Sequence, residues 1–419
     1  MKARHSHILE LQSLRGIAAV VVLLHHTSVL FDTTPAFHYW AEILIDAHAA
    51  VMLFFVLSGY VLSRSLSGVA IDCESLFSFY AARLFRIYPM AWVACLAASL
   101  YVIFLHNRVP TIGASQWYAH FWQPSFDLKA GAMTFLTFKA QLLPPIWSIR
   151  VELFGSLAIP LIILAIRRGV GIWLLVATTA FSLRSSSTIT IYLPSFILGA
   201  LAFRFQDRLG RYLGAVPALV ASTIIMLFFR RISADWQFDV SYHAVVPALI
   251  ESVSAATLII GIVERTWSPL RSKASVRLGD ISYSLYLIHF IIMSITAKFI
   301  SRWLVDSDSR AEALMASTLL LTLPLAALTY EMIEKPGIIV GKKIAGTFRS
   351  HIEFVWASRS RRFSPLRILD GITTQWCKSK WAFSRSNPDG PGVSLSRDLG
   401  EVIEKVIIKD GDCQNKRTK

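Results

Sequence analysis

Cysteine is scarce: Cys73, Cys95, Cys377 and Cys413 are the only four in 419 residues, neither paired in spacing nor grouped with histidines. That pattern supports neither a disulfide framework nor a zinc centre, and no bound metal is expected. Charge is scarce too, 16% against 54% hydrophobic residues, with a mean hydropathy of +0.52. Soluble domains carry about 25% charge, so this is the composition of a membrane protein. Within that small allotment acid is the rarer sign, 27 Asp and Glu against 42 Lys and Arg, for a net charge of +15. The cations are spread over many short loops instead of one patch, which fits loops facing an anionic leaflet and argues against nucleic acid as a partner. No small-residue cleavage pattern follows the first apolar run, so that run is expected to remain as a membrane helix.

Apolar segments recur at about 13–30, 44–63, 86–105, 145–166, 170–184, 189–204, 214–230, 243–263, 281–300 and 313–333. Most reach the roughly 17 to 25 residues needed to cross a core about 30 Å thick. They predict an all-α, polytopic transmembrane bundle of about ten spans. If the spans alternate, the loops on the side of the N-terminus carry 17 Lys and Arg against 8 on the other side, which places both termini in the cytoplasm. The membrane-embedded domain is expected over 1–344. A basic, Ser- and Arg-rich, loosely ordered cytoplasmic tail is expected over 345–419. The longest external loop, about 106–144, holds Trp117, Tyr118 and Trp122, which read as an interfacial belt or as part of a lid over the bundle.

Ionisable side chains at membrane depth cost several kcal/mol unless paired or hydrated, so they default to functional sites. In "LRGIAAVVVLLHHTSVLF" (14–31), Arg15 and His26 are eleven residues apart. That separation is about 16 Å along a helix and close to three whole turns, so the two share a face while His25 points away from it. Glu152 in "PPIWSIRVELFGS" is expected about 5 Å in depth from His26, close enough for an acid/base dyad, although Arg150 is an alternative partner. In "LGDISYSLYLIHFII", Tyr286 and His289 fall on one face beside Ser282, Tyr283 and Ser284, either as interhelical hydrogen-bond glue or as cavity lining. Arg83 and Arg86 sit one turn apart in "FYAARLFRIYPMAW", as positive-inside anchors or as guanidinium forks for phosphate. Ser58 and Gly59 suggest close helix packing, and Glu251 has no evident partner.

Together, "LQSLRGIAAVVVLLHH", "VMLFFVLSGYVL", "FYAARLFRIYPMAW", "IWSIRVELFG", "LGDISYSLYLIHF" and "YEMIEKPG" resemble, in order, the blocks of acyltransferase family 3, the polytopic O-acyltransferases of bacterial surface glycans. The resemblance covers about 9–340 and is greatest to members that act on exopolysaccharide. It implies a multi-pass enzyme of the bacterial cytoplasmic (inner) membrane. Such an enzyme takes an acetyl group from cytoplasmic acetyl-CoA, with no tightly bound cofactor, and passes it to a hydroxyl of a surface or lipid-linked glycan. The family's basic residue and histidine land on Arg15 and His26, its Trp-Ser and Glu on Trp147, Ser148 and Glu152, its arginine pair on Arg83 and Arg86, and its late motif on Ser282, Tyr283, Ser284 and His289. The expected catalytic set is therefore His26, Glu152 and Arg15. Arg15, Arg83 and Arg86 are expected to hold the donor, while His25, Trp147, Ser148, Tyr283, Tyr286 and His289 line the substrate cavity. The chain departs from the family at Ala50, Val51 and Met52, where members often have Gly-Val-Asp, and at Leu153, where many carry a second acid. The competing class is a transporter or exporter of a glycan or its precursor, in which buried His and Glu relay protons.

Overall fold

The computed structural model describes residues 8–347 apart from 107, 123–126, 141, 237–240, 242 and 266. The tail expected from 345 lies outside the described residues from 348 onward. The helices in chain order are α1 (Leu9–Ser28), α2 (Pro35–Leu44), α3 (Ala47–Ser65), α4 (Cys73–Tyr101), α5 (Gln116–Phe121), α6 (Leu128–Phe135) and α7 (Ile146–Arg167). After these come α8 (Gly171–Ser182), α9 (Thr188–Leu213), α10 (Val216–Asp235), α11 (Val245–Arg265), α12 (Lys273–Asp280), α13 (Ser282–Trp303) and α14 (Ser307–Thr329). Among the described residues there is no strand, only an isolated bridge between Phe31 and Ala114.

Every expected span falls on a helix. Eight helices, α3, α4, α7, α9, α10, α11, α13 and α14, are long and apolar enough to cross a membrane. The other two differ for separate reasons. α8 has 12 residues, only about 18 Å of rise. α1 has 20 residues but carries Glu10, Arg15, His25 and His26. It tolerates them because it is wrapped by protein, packing against α3, α12, α13 and α14.

Local sequence sets the helix starts. Asp46, Asp72 and Asp306 cap α3, α4 and α14 by accepting from the amides of Ala49, Ser75 and Ser309 at 3.0, 2.8 and 2.8 Å, satisfying amides the helix itself leaves open. Close crossings depend on the missing side chain of glycine. A Cβ on Gly59 would lie 2.2 Å from the Phe196 carbonyl oxygen, and one on Gly199 would lie 2.1 Å from that of Val56, so α3 and α9 touch backbone to backbone. At the start of α1 a Cβ on Gly279 would lie 2.1 Å from the Gln12 carbonyl oxygen, which fixes the end of α1 that bears Arg15.

Trp117, Tyr118 and Trp122 form no interfacial belt. The Ser115 amide and hydroxyl donate to the carbonyls of Leu30 (2.8 Å) and Val29 (2.7 Å), tying α5 to the end of α1. Tyr118 and Trp122 are buried, and all three rings pack on Phe290 of α13.

Candidate active site

α1 and α13 bring two histidines together. His26 Nδ1 lies 2.9 Å from His289 Nε2, with the ring planes 13° apart, and His289 Nδ1 lies 2.8 Å from the Tyr286 carbonyl oxygen. A carbonyl only accepts, so His289 carries its proton on Nδ1 and presents a lone pair at Nε2. His26 must then donate from Nδ1, which leaves the lone pair on its own Nε2, the state a base or nucleophile requires. Trp117 and Phe290 close around the His26 ring at 5.4 and 5.7 Å between centroids, and His289 has no exposed surface.

Toward the start of α1 lies a narrow cavity of about 30 Å³ between α1, α3, α7 and α13. Its polar lining includes Arg15, Ser148, Glu152, Tyr283 and Tyr286, and its apolar lining includes Val51, Phe54 and Phe55. Tyr286 joins the cavity to the histidine pair, for its hydroxyl lies 2.7 Å from Ser148 Oγ while its carbonyl holds His289. Tyr283 donates to the Ile87 carbonyl at 2.8 Å, anchoring α4 so that Arg83 and Arg86 face the same region. Among the described residues Arg15 makes no hydrogen bond. Its electrostatic neighbours are Glu152 and Glu334 on one sign and Arg83 and Arg86 on the other. An anion entering the cavity therefore meets an uncommitted guanidinium.

Two expectations are corrected here. Glu152 does not pair with His26. Its Oε1 accepts from Arg83 Nη2 at 2.5 Å, and the same nitrogen donates to Ser156 Oγ at 3.1 Å. The dyad rested on depth along two helices, and depth does not say that Glu152 turns to Arg83 of α4. Arg150 is not the alternative partner either, since it donates to the Phe138 carbonyl and the Thr188 hydroxyl at 2.9 and 2.7 Å. His25, Trp147 and His289 fall outside the cavity lining, His289 standing behind Tyr286. His25 donates from Nδ1 to the Ile45 carbonyl at 2.9 Å and faces a second hollow at the far end of α1, with Asp32, His38, Glu42, Gln116 and Trp117. The Trp147 ring stands behind Phe55, 6.2 Å between centroids. One residue had no place in the sequence-based site: Glu334, 1% exposed, accepts from Ser284 Oγ at 2.8 Å and interacts electrostatically with Arg86 and Arg15. Its block, "YEMIEKPG", was the only available signal.

Residues 8–330, nearly all of the described chain, match the family described as "Acyltransferase domain". The chain belongs to acyltransferase family 3. As an acyltransferase of many apolar helices it is a multi-pass membrane enzyme. It is 26% identical over 378 residues, covering 80% of this chain and 93% of the relative, to "Acyltransferase MdmB" of Streptomyces mycarofaciens. No solved structure matches it significantly. Membership gives the chemistry its class.

Proposed function

We propose that this acyltransferase moves an acetyl group from cytoplasmic acetyl-CoA to a hydroxyl of a surface or lipid-linked glycan across the bacterial cytoplasmic membrane. The observation that carries the reading is the position of His26 on α1, which meets the Arg15 cavity at one end and an open polar hollow at the other; its ring lies against Trp117 of that hollow and hydrogen-bonds His289. The positive-inside bias puts the Arg15 end toward the cytoplasm, where the donor is made. Arg15 and Arg86 are the guanidinium groups available to the CoA phosphates; Arg83 is committed to Glu152 and acts by holding the cavity wall.

The acceptor enters by the hollow beside Trp117, whose ring offers a platform and whose neighbours Asp32, Glu42 and Gln116 can accept hydrogen bonds from hydroxyls. In direct transfer, His26 Nε2 takes the hydroxyl proton as the oxygen attacks the thioester carbonyl, and the resulting imidazolium returns that proton to the departing thiolate. His289 steadies the imidazolium, because its Nε2 already accepts from His26 Nδ1. In the covalent variant Nε2 attacks the thioester carbonyl and expels CoA as its thiolate, and the glycan hydroxyl then attacks the acetyl carbon, which frees Nε2 and gives the hydroxyl proton to the thiolate. Both routes need the same tautomer.

The test is transfer of labelled acetyl from acetyl-CoA to glycan in membrane vesicles. Wild type should label the glycan and His26→Ala should not. Labelling retained by His26→Ala removes the histidine from the mechanism, and export of glycan without any acetyl-CoA dependence removes the enzyme reading.

A further inference from the structure

A second buried polar network lies apart from the histidine pair, and the mechanism above makes no use of it. Glu251 of α11, with no exposed surface, accepts from His48 Nδ1 of α3 in a very short contact and from Arg230 Nε of α10 at 3.0 Å. Arg230 Nη2 also approaches His48 Nδ1 at 2.8 Å. The other face of the same imidazole, His48 Nε2, is 3.3 Å from the hydroxyl of Tyr192 on α9. That hydroxyl is 2.9 Å from Nδ1 of His243, which precedes α11 and stays partly exposed. Among the described residues, the charged neighbours from the surrounding elements are Asp46 at the start of α3, Arg150 of α7 and Arg230 of α10.

One hydroxyl proton between two imidazole nitrogens can face either way, and that freedom is what distinguishes a relay from a static ion pair. We propose that His243, Tyr192, His48 and Glu251 form a proton relay that carries protons from the surface at the start of α11 to a buried imidazolium–carboxylate pair, and so makes the wall of the reactive cavity responsive to pH. His243 takes a proton from solvent at Nε2. Its Nδ1 proton passes to the Tyr192 oxygen while the Tyr192 proton passes to His48 Nε2. His243 is left neutral with its proton on Nε2, Tyr192 is unchanged, and His48 becomes an imidazolium against Glu251. Arg230 keeps that carboxylate ionised throughout. The cavity is reached through Trp147, whose ring packs on Tyr192, His243 and Phe55 at 5.5, 6.0 and 6.2 Å between centroids; Phe55 and the next residue, Ser148, line it.

The relay is independent of which donor and acceptor the enzyme uses, so the test of the relay itself needs neither. Deuterium exchange at the imidazole carbon, read by mass spectrometry, gives the titration midpoint of His243 in the purified full-length protein. Glu251→Gln weakens the proton acceptor at the buried end and should lower that midpoint by about half a pH unit or more. In the Tyr192→Phe background, which keeps the ring and removes the hydroxyl, the same substitution should have less than half that effect. Should Glu251→Gln fail to fold, His48→Gln serves in its place. A fall of equal size in both backgrounds, or none in either, overturns the relay. Followed in the same proteins, the acid limb of acyl transfer should move with the His243 midpoint; a limb that ignores it overturns the link to the cavity.

Discussion

His289 donates nothing to His26 and accepts one hydrogen bond from it, yet that bond decides which nitrogen of His26 is basic. His289→Ala should therefore lower the transfer rate by about 10² or more with little change in the apparent affinity for the donor, since a positioned general base contributes about 10² to 10⁴. His289→Gln, whose carbonyl oxygen can still accept, should recover part of the loss. Steady-state rates at varied acetyl-CoA check both; an Ala variant that loses only donor affinity would assign His289 to binding. Arg83 and Glu152 make a different prediction. Arg83→Met strands a carboxylate in a largely buried site, and breaking such a pair costs about 3 to 5 kcal/mol where burial is complete and less here. Thermal unfolding in detergent should show Arg83→Met well below wild type, with Glu152→Gln in the same chain restoring much of the loss. A double variant no more stable than the single one would contradict the pairing. At this scale the sequence pointed to side chains that lie near one another and did not show their partners. Arg15, His26, Ser148, Glu152, Tyr286 and His289 all converge, but the His26–His289 contact spans 263 residues of chain. Helix periodicity within one segment cannot report an azimuth relative to another.

Among the elements, the crossing of α3 and α9 is the joint on which the cavity depends, because α3 carries Val51, Phe54 and Phe55 into it. Gly199→Val would drive methyl groups into the Val56 carbonyl and should push α3 outward. The expected outcome is protein that inserts but melts lower and transfers poorly, measured against Gly346→Ala, where a Cβ meets nothing. Equal melting of the two would mean that the helices are not in backbone contact. The Ser58-Gly59 pair was legible as packing from the residue types alone. α5 was not legible, for its aromatic residues have the composition of an interfacial belt, and only the backbone bonds of Ser115 to Val29 and Leu30 bring them onto Phe290.

For the molecule as a whole, apolar runs located ten helices because run length is a one-dimensional property. They located α1 as well but not its surroundings, because hydropathy does not say that α3, α12, α13 and α14 pack around it. Global stability should also carry a pH signature from His243. Burial first, then the charges of His48, Arg150 and Arg230, hold its imidazole below the usual range. The folded state thus binds this proton less readily than the unfolded chain does. The stabilising contribution is complete above about pH 6.5, the ordinary imidazole value, and is lost as pH falls from there through the lowered folded value. His243→Gln should flatten the acid side of a plot of melting temperature against pH; an unchanged slope would place the titration elsewhere.

The most direct measurement is acetyl transfer itself. Vesicles holding wild type, His26→Ala or His289→Ala receive labelled acetyl-CoA on the side of Arg15, and base-labile label is then counted in the glycan fraction. The account predicts label with wild type, background with His26→Ala and a strongly reduced rate with His289→Ala. Equal label in all three would contradict it.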